Sequence, residues 1–532
     1  MAILAIEMAA AMPLFLGGIF QCFHLKKSMK SMDYEPPQDD AALEEKLGVN
    51  LLDNIIKVRE LCSGTSDLLV RQMEVCGIPV ALLMCEGMFS LANTTELIIE
   101  PLTHLKLEKA KPEDLLSWMR HKTILSGDTS ECYTYGELFR FIMSGFVVIL
   151  LDGKNVGMAL GLQGFQSRSI SEPSSETNVR GSREGFVESL RVNMSMVRRR
   201  MKTPKLKLEL STVGEKSKTD ICLVYRTDMV SSELLKEVKY KLSKVKLDVV
   251  LESGYVQPYL ERKPLSIFSE VGVTERPDTI CAKVSEGRIG ILFDGTPFAL
   301  VIPFLFTENF QSFDDYANRP YYATFIRWLK YVSFFLTILL PGFYVSIATF
   351  HPELFPNALL FNVAASEEST PFPIMMEALI IHFFYEVMRE AGLRLPRPVG
   401  HAVSIVGALV IGDAAVTAGL IGAPMVMVVA LTAISSFVVA PLYEPVTILR
   451  FTFILLGGLL GMFGITLGLA VVMVNLCAIN TMGIPITSPA SPFDLYSMRD
   501  VLFRWGWKSL GKEDLRVQDL PGSQIKGGNN DD

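Results

Sequence analysis

Apolar and polar positions change rhythm once along this 532-residue chain. Charged residues crowd positions 38–330, whereas from 331 to 480 long runs of Leu, Ile, Val, Phe, Ala and Gly are broken only by isolated charges, a change of solvent from water to lipid. In the first environment, a 3.6-residue period predicts helices over 43–60, 113–120 and 134–144, and an apolar run predicts a strand over 78–88. These form a small α/β unit over 41–145. A second unit over 146–320 opens with the apolar run 146–151, which ends at Asp152-Gly153, a hairpin signal leading into 156–163. Residues 167–185, rich in Ser, Glu, Pro, Gly and Arg, have no hydrophobic period and are predicted as a charged loop. A helix over 186–201, strands over 205–210 and 219–225 and a helix over 231–244 follow, and a final pair, 279–284 and 288–293, closes on Asp294-Gly295-Thr296-Pro297. The predicted class is an α/β cytoplasmic region followed by an α-helical multi-span transmembrane bundle.

The bundle is expected over 321–490. Residues 328–350, 399–412, 420–442 and 451–474 have the length and Gly content of packed membrane helices, and 372–391 has the length but carries Glu377, His382, Glu386, Arg389 and Glu390. That makes about five membrane segments by length and hydropathy. Arg319, Arg327 and Lys330 precede the first span and the loop 351–373 holds no Lys or Arg, so the soluble region is placed in the cytoplasm. An odd number of crossings then puts Arg499, Arg504 and Lys508 of the polar tail 491–532 outside, against the positive-inside rule, unless the last span is re-entrant or the count is off by one. Residues 1–40 form an extension whose apolar start makes a poor signal peptide, because Glu7 interrupts it and Lys26 and Lys27 follow it.

Composition agrees with a membrane protein: 49% of residues are hydrophobic and mean hydropathy is +0.33. A net charge of −7 gives no sign of a nucleic-acid partner, and the basic run Arg198–Arg200 is best read as a solvated helix end. The eight cysteines show no paired spacing, so neither a zinc site nor a disulfide framework is implied. No P-loop, GxSxG elbow, HExxH or metal-spaced His cluster is present, and the chain is read as a non-enzyme with no cofactor.

The polar residues among the apolar runs are the better lead, since a charge in hydrocarbon costs about 3 kcal/mol and persists where it meets water or a partner. His382, Glu386, Arg389 and Glu390 share one helical face with Glu377 opposite; they line a water-filled path, or they pair internally, Glu386 with Arg389. Val399, Val403, Val406 and Val410 form a stripe ending at Asp413, beside small Gly400, Ser404 and Gly407. Such a stripe is a dewetting gate if several copies surround an axis, or a lipid-facing surface otherwise. In the loop, Arg180, Arg183 and Glu184 concentrate donors and acceptors and are expected at subunit or domain contacts.

Several collinear stretches resemble the GerA family, the A subunits of bacterial spore germinant receptors. They include Ser167-Arg168-Ser169-Ile170, Val179-Arg180-Gly181-Ser182-Arg183-Glu184-Gly185-Phe186, Glu188-Ser189-Leu190-Arg191 and Asp294-Gly295-Thr296-Pro297-Phe298. Phe350-His351-Pro352-Glu353-Leu354, Arg389-Glu390-Ala391-Gly392-Leu393-Arg394-Leu395-Pro396 and Gly407-Ala408-Leu409-Val410-Ile411-Gly412 continue them. Ser182 stands where the family usually has Pro. The resemblance implies a sporulation protein of the inner spore membrane that acts with a permease-like B subunit and a lipoprotein C subunit. It also implies self-association into a ring that releases cations, with a non-conducting scaffold as the alternative. A secondary transporter is disfavoured because no inverted repeat is visible.

Overall fold

The computed structural model describes residues 40–106, 111–121, 128–164, 173, 176, 178–264, 266–394, 412–510 and 516–525. Helix α1 (Leu51–Leu61) starts where the Asn50 side chain accepts from the Leu52 amide. It is followed by β1 (Leu68–Val75), β2 (Ile78–Cys85), α2 (Pro112–His121), β3 (Thr129–Cys132), α3 (Tyr135–Ile142), β4 (Phe146–Leu151) and β5 (Gly157–Gly161). The strands form one antiparallel sheet in the order β1-β2-β4-β5-β3. Strands β2 and β4 are apolar throughout because both faces are covered: Leu83, Val148 and Leu150 pack with α1 and α3, while Leu82, Ile149 and Leu151 pack with Leu115 and Met119 of α2. The hairpin over 146–161, assigned by sequence to the second unit, thus completes the first, and the change of unit falls after Gly161.

The second unit repeats the first. Helix α4 (Leu190–Arg200), β6 (Leu206–Val213), β7 (Thr219–Arg226), α5 (Ser232–Ser243), β8 (Gly272–Thr274), α6 (Pro277–Ser285), β9 (Ile289–Phe293) and β10 (Ala299–Ile302) build an antiparallel sheet ordered β6-β7-β9-β10-β8, the same path. The likeness reaches single hydrogen bonds. Asp152, in the turn after β4, accepts from the Leu51 amide at the start of α1 at 3.1 Å, and Asp294, in the turn after β9, accepts from the Leu190 amide at the start of α4 at 3.0 Å. Asn54 exchanges two bonds with the Gly48 backbone, as Asn193 does with that of Val187. Residues 279–284, paired at the sequence level with 288–293, lie within α6; Pro277 in its first turn marks a helix start, and a short apolar run alone does not separate helix from strand.

The units are joined by a buried charge. Arg198, fully enclosed, donates to Asp67 at 2.7 Å and 3.0 Å and to the carbonyls of Thr203 and Leu206. Backbone bonds from Ser66 to Leu208 at 2.8 Å and from Leu208 to Thr65 Oγ1 at 3.1 Å flank it. The basic run is therefore no solvated helix end: Arg198 is buried, and Arg199 and Arg200 both hold Glu184.

Between Arg319 and Ala478 the described residues are mainly helical: α7 (Pro320–Phe350), α8 (Asn357–Glu368), α9 (Ile374–Arg394), α10 (Ala423–Val438) and α11 (Tyr443–Cys477). By length and composition, α7 and 440–477 could each cross a membrane, and α10 is a shorter apolar helix. Helix α11 breaks at Gly461, whose φ of +63° suits only glycine, and folds back on itself. A Cβ on Gly468 would lie 3.0 Å from the Phe453 ring, a contact no straight helix can make across fifteen residues rising about 1.5 Å each. The turn at Gly461 packs on Phe350, at the end of α7 away from the α/β units, and Gly342 and Gly457 meet so closely that a Cβ on either would overlap the other helix.

Contacts also fix the direction of the other helices. Met375 of α9 packs at Gly458 and Glu386 reaches Arg450 and Tyr443, so α9 runs back toward the α/β units. Gly422, which precedes α10, sits beside Glu377, and Ser436 near its end bonds Tyr385, so α10 runs the same way. The ends of the intervening stretch, Arg394 and Gly419, lie at opposite ends of the bundle. Among the described residues α7, α9, α10 and the two arms of α11 run along the bundle, and the second arm of α11 ends toward the α/β units. The tail accordingly returns to the α/β side: Met482, Ile484, Val517, Leu520 and Ile525 complete the core of the second unit beside Val238 and Ile291. Arg499 and Arg504, which an odd number of crossings would put on the opposite side, are buried here.

Replacing Asp67 with Asn should destabilise the protein by about 3–5 kcal/mol, because it strands a buried guanidinium. Burial alone would raise the Asp67 pKa, but the Arg198 charge and the bonds from Arg198, Thr65 and Cys85 hold it below the ordinary 3.8. The pair's contribution is thus complete at neutral pH and lost only as pH falls below that value. Thermal unfolding of wild type and Asp67→Asn at pH 7 checks this; equal midpoints would refute it.

Candidate functional site

Polar side chains inside the helical bundle gather on α9. Glu386 is the hub: it accepts from Arg450 and from the Tyr443 hydroxyl, and from Arg389 Nε at 3.1 Å. The Arg389 guanidinium stacks 3.2 Å from the centre of the Tyr443 ring, and the Tyr385 hydroxyl meets Ser436 at 3.2 Å. Arg450 is completely buried, with Nε and Nη1 lacking protein partners. One carboxylate here faces two guanidinium groups, so the node carries a net positive charge.

One turn away, His382 is also fully buried; its Nδ1 lies 2.9 Å from the Ala378 carbonyl and its Nε2 has no partner. Glu377, likewise enclosed, accepts from the Gly422 amide through Oε1, and its Oε2 has no partner. Asp413 is exposed, near the end of the bundle remote from the α/β units. Val399, Val403, Val406 and Val410 lie outside the described residues. The structure thus draws Glu386 into a paired cluster, sets Glu377 and His382 apart from it, and leaves Asp413 at the surface.

The loop candidates are anchored at two places, on α4 of the second unit and on the approach to the bundle. Glu184 forms ion pairs with Arg199 at 2.7 Å and Arg200 at 2.6 Å. The Arg180 amide donates to Asp314 at 2.9 Å, while the Arg180 and Arg183 side chains are exposed. Sequence reasoning missed a second constellation. Arg327 of α7, fully buried, donates to Asp315 at 2.7 Å and to Asp500 at 2.9 Å, and Tyr316 donates to Asp500 at 2.7 Å. Its only sequence signal was an arginine inside an apolar run, read there as an orientation charge.

Arg450→Ala should lower the stability of the detergent-solubilised chain by about 3–5 kcal/mol, since Glu386 loses its main counter-charge. Arg389→Ala should cost less, because Arg450 and Tyr443 remain. Thermal melts of the two variants test the order; a larger loss for Arg389→Ala would show that the hub is centred elsewhere.

The Bacillus/Clostridium GerA spore germination protein family matches residues 56–514. The chain is 38% identical over 477 residues to spore germination protein KA of Bacillus subtilis, covering 87% of each chain. It is 32% identical over 450 residues to spore germination protein GerLA of Bacillus cereus, covering 83% of this chain and 90% of that one. A crystal structure of the N-terminal domain of the A subunit of the Bacillus megaterium spore germinant receptor GerK3 is 27% identical and covers 49% of this chain and 98% of that domain, at a TM-score of 0.39. With its matched segment running from α1 through both α/β units and the helical bundle into the tail, the chain belongs to the GerA family of spore germination proteins.

Proposed function

We propose that the chain is the A-type subunit of a spore germinant receptor, embedded by its bundle in the inner spore membrane with both α/β units and the tail on the cytoplasmic side. The supporting observation is the tail, which packs into the core of the second unit and so puts Arg499 and Arg504 on the side that holds Arg319 and Lys330. In this reading the subunit works with the permease-like and lipoprotein partners of its receptor and assembles into a ring whose opening releases cations.

The ion path runs between copies rather than through one chain. Inside the bundle, Glu386 is outnumbered by Arg450 and Arg389, which repel cations. Asp413 lies on the surface of an apolar bundle, where facing another copy or water is far less costly than facing lipid. The stretch 399–413 therefore lines the path, with the valines as its gate. A non-conducting scaffold is the second reading, favoured by the internal pairing of Glu386.

In reconstituted vesicles, Val403→Ala should raise resting cation flux and Val403→Phe should abolish it, while Asp413→Asn lowers the cation-to-anion permeability ratio. Unchanged flux in all three variants would leave the scaffold. A single cysteine at Ser523 should be shielded from an impermeant thiol reagent in intact protoplasts and labelled on lysis; labelling of intact cells would overturn the topology.

A further inference from the structure

At the end of the bundle remote from the α/β units, three oxygens converge on one point. The position a Cβ would occupy on Gly422 lies 2.9 Å from Ser366 Oγ, 3.4 Å from Glu377 Oε1 and 3.5 Å from Glu367 Oε1. The Tyr344 hydroxyl reaches the same Glu367 oxygen at 3.4 Å. Glycine at 422 keeps this space free of carbon. Gly422 also precedes the 16-residue helix α10, so the positive end of a helix dipole faces Glu377.

The charge balance is incomplete. Glu377 is wholly buried, and its Oε2 finds no partner among the described residues. Among the described residues no lysine, arginine or histidine forms an ion pair with Glu377 or Glu367, in contrast to Glu386 on the same helix. One amide and one hydroxyl do not neutralise a fully buried carboxylate and its half-buried neighbour. Glu367 is half-buried and opens toward the surface, which gives an ion a way in.

We propose that Glu377, Glu367, Ser366 and Tyr344 form a binding site for a hard, oxygen-seeking cation at the outer end of the bundle. Carboxylate and hydroxyl oxygens without nitrogen or sulfur suit an alkali or alkaline-earth ion and disfavour zinc or copper. The ion joins three elements: Tyr344 on α7, Ser366 and Glu367 on α8 and Glu377 on α9. Loss of the ion would loosen α8 from its neighbours. The role of the site rests on the reading of the bundle as an ion-handling membrane domain, but its existence does not, because binding and flux are separate measurements.

The test uses the full chain in lipid nanodiscs, titrated separately with calcium, magnesium, sodium and potassium chloride, with calorimetry and thermal melting as readouts. At least one cation should bind saturably and raise the melting temperature. Glu377→Gln, whose amide oxygen can still accept from the Gly422 amide, should weaken that binding at least about tenfold while keeping the helical content. Gly422→Ala, which puts a methyl 2.9 Å from Ser366 Oγ, should do the same from the opposite wall, and Glu367→Gln tests the outer rim should either variant fold poorly. Absence of saturable binding by all four cations overturns the site; a carboxylic-acid infrared band that disappears in Glu377→Gln would then assign its neutralisation to a proton. Binding unchanged in all three variants also overturns it.

Discussion

Arg327 is where the separate parts of the chain become one body. It sits in the third turn of α7, yet its guanidinium binds Asp315 from the approach to the bundle and Asp500 from the tail. Asp500 is held in turn by Tyr316, and its carbonyl accepts from Gln311 at 2.8 Å. A cation enclosed in this way requires both carboxylates, since removing either leaves charge without solvent. The first helix, the second α/β unit and the tail are therefore fixed relative to one another. Movement at the bundle would be carried to the α/β units through this node and through the tail residues built into their core.

Much of the fold was legible because burial writes a period into the sequence. The strand over 146–151 and the helices over 113–120 and 231–244 stand within a few residues of where the pattern placed them. The duplication was not legible from that pattern. It resides in matched capping bonds, Asp152 on Leu51 and Asp294 on Leu190, that join residues about a hundred positions apart. Asp152-Gly153 reads as a hairpin signal and Asp294-Gly295 as the close of a pair of elements, and nothing local tells that each aspartate also caps a distant helix. Nor does sheet membership show in a single strand, which is why the hairpin at 146–161 was given to the wrong unit.

The helical bundle was hidden for a different reason. Hydropathy treats 451–474 as one crossing, whereas Gly461 turns it into two antiparallel arms, and a glycine in an apolar run is equally at home in a straight packed helix. The turn at Gly461 is the re-entrant alternative that the positive charges of Arg499 and Arg504 had left open. On α9 the Glu386–Arg389 pairing could be read from a spacing of three, but Arg450 lies 64 residues further on, beyond any local rule.

The two acidic residues of α9 show how the same cost can be met in opposite ways. Glu386 is matched by arginines from its own helix and from α11, so its charge is used up in holding helices together and has none left to attract an ion. Glu377, about two and a half turns earlier, receives a helix N-terminus and, among the described residues, no arginine or lysine. A single chain thus contains a positively biased node toward the α/β side and a negatively biased pocket at the far end. A cation moving through the interior of one chain would have to leave the pocket and climb past the arginines. Conduction along that line is unfavourable on charge alone, which supports the proposed path between copies over one through a single chain.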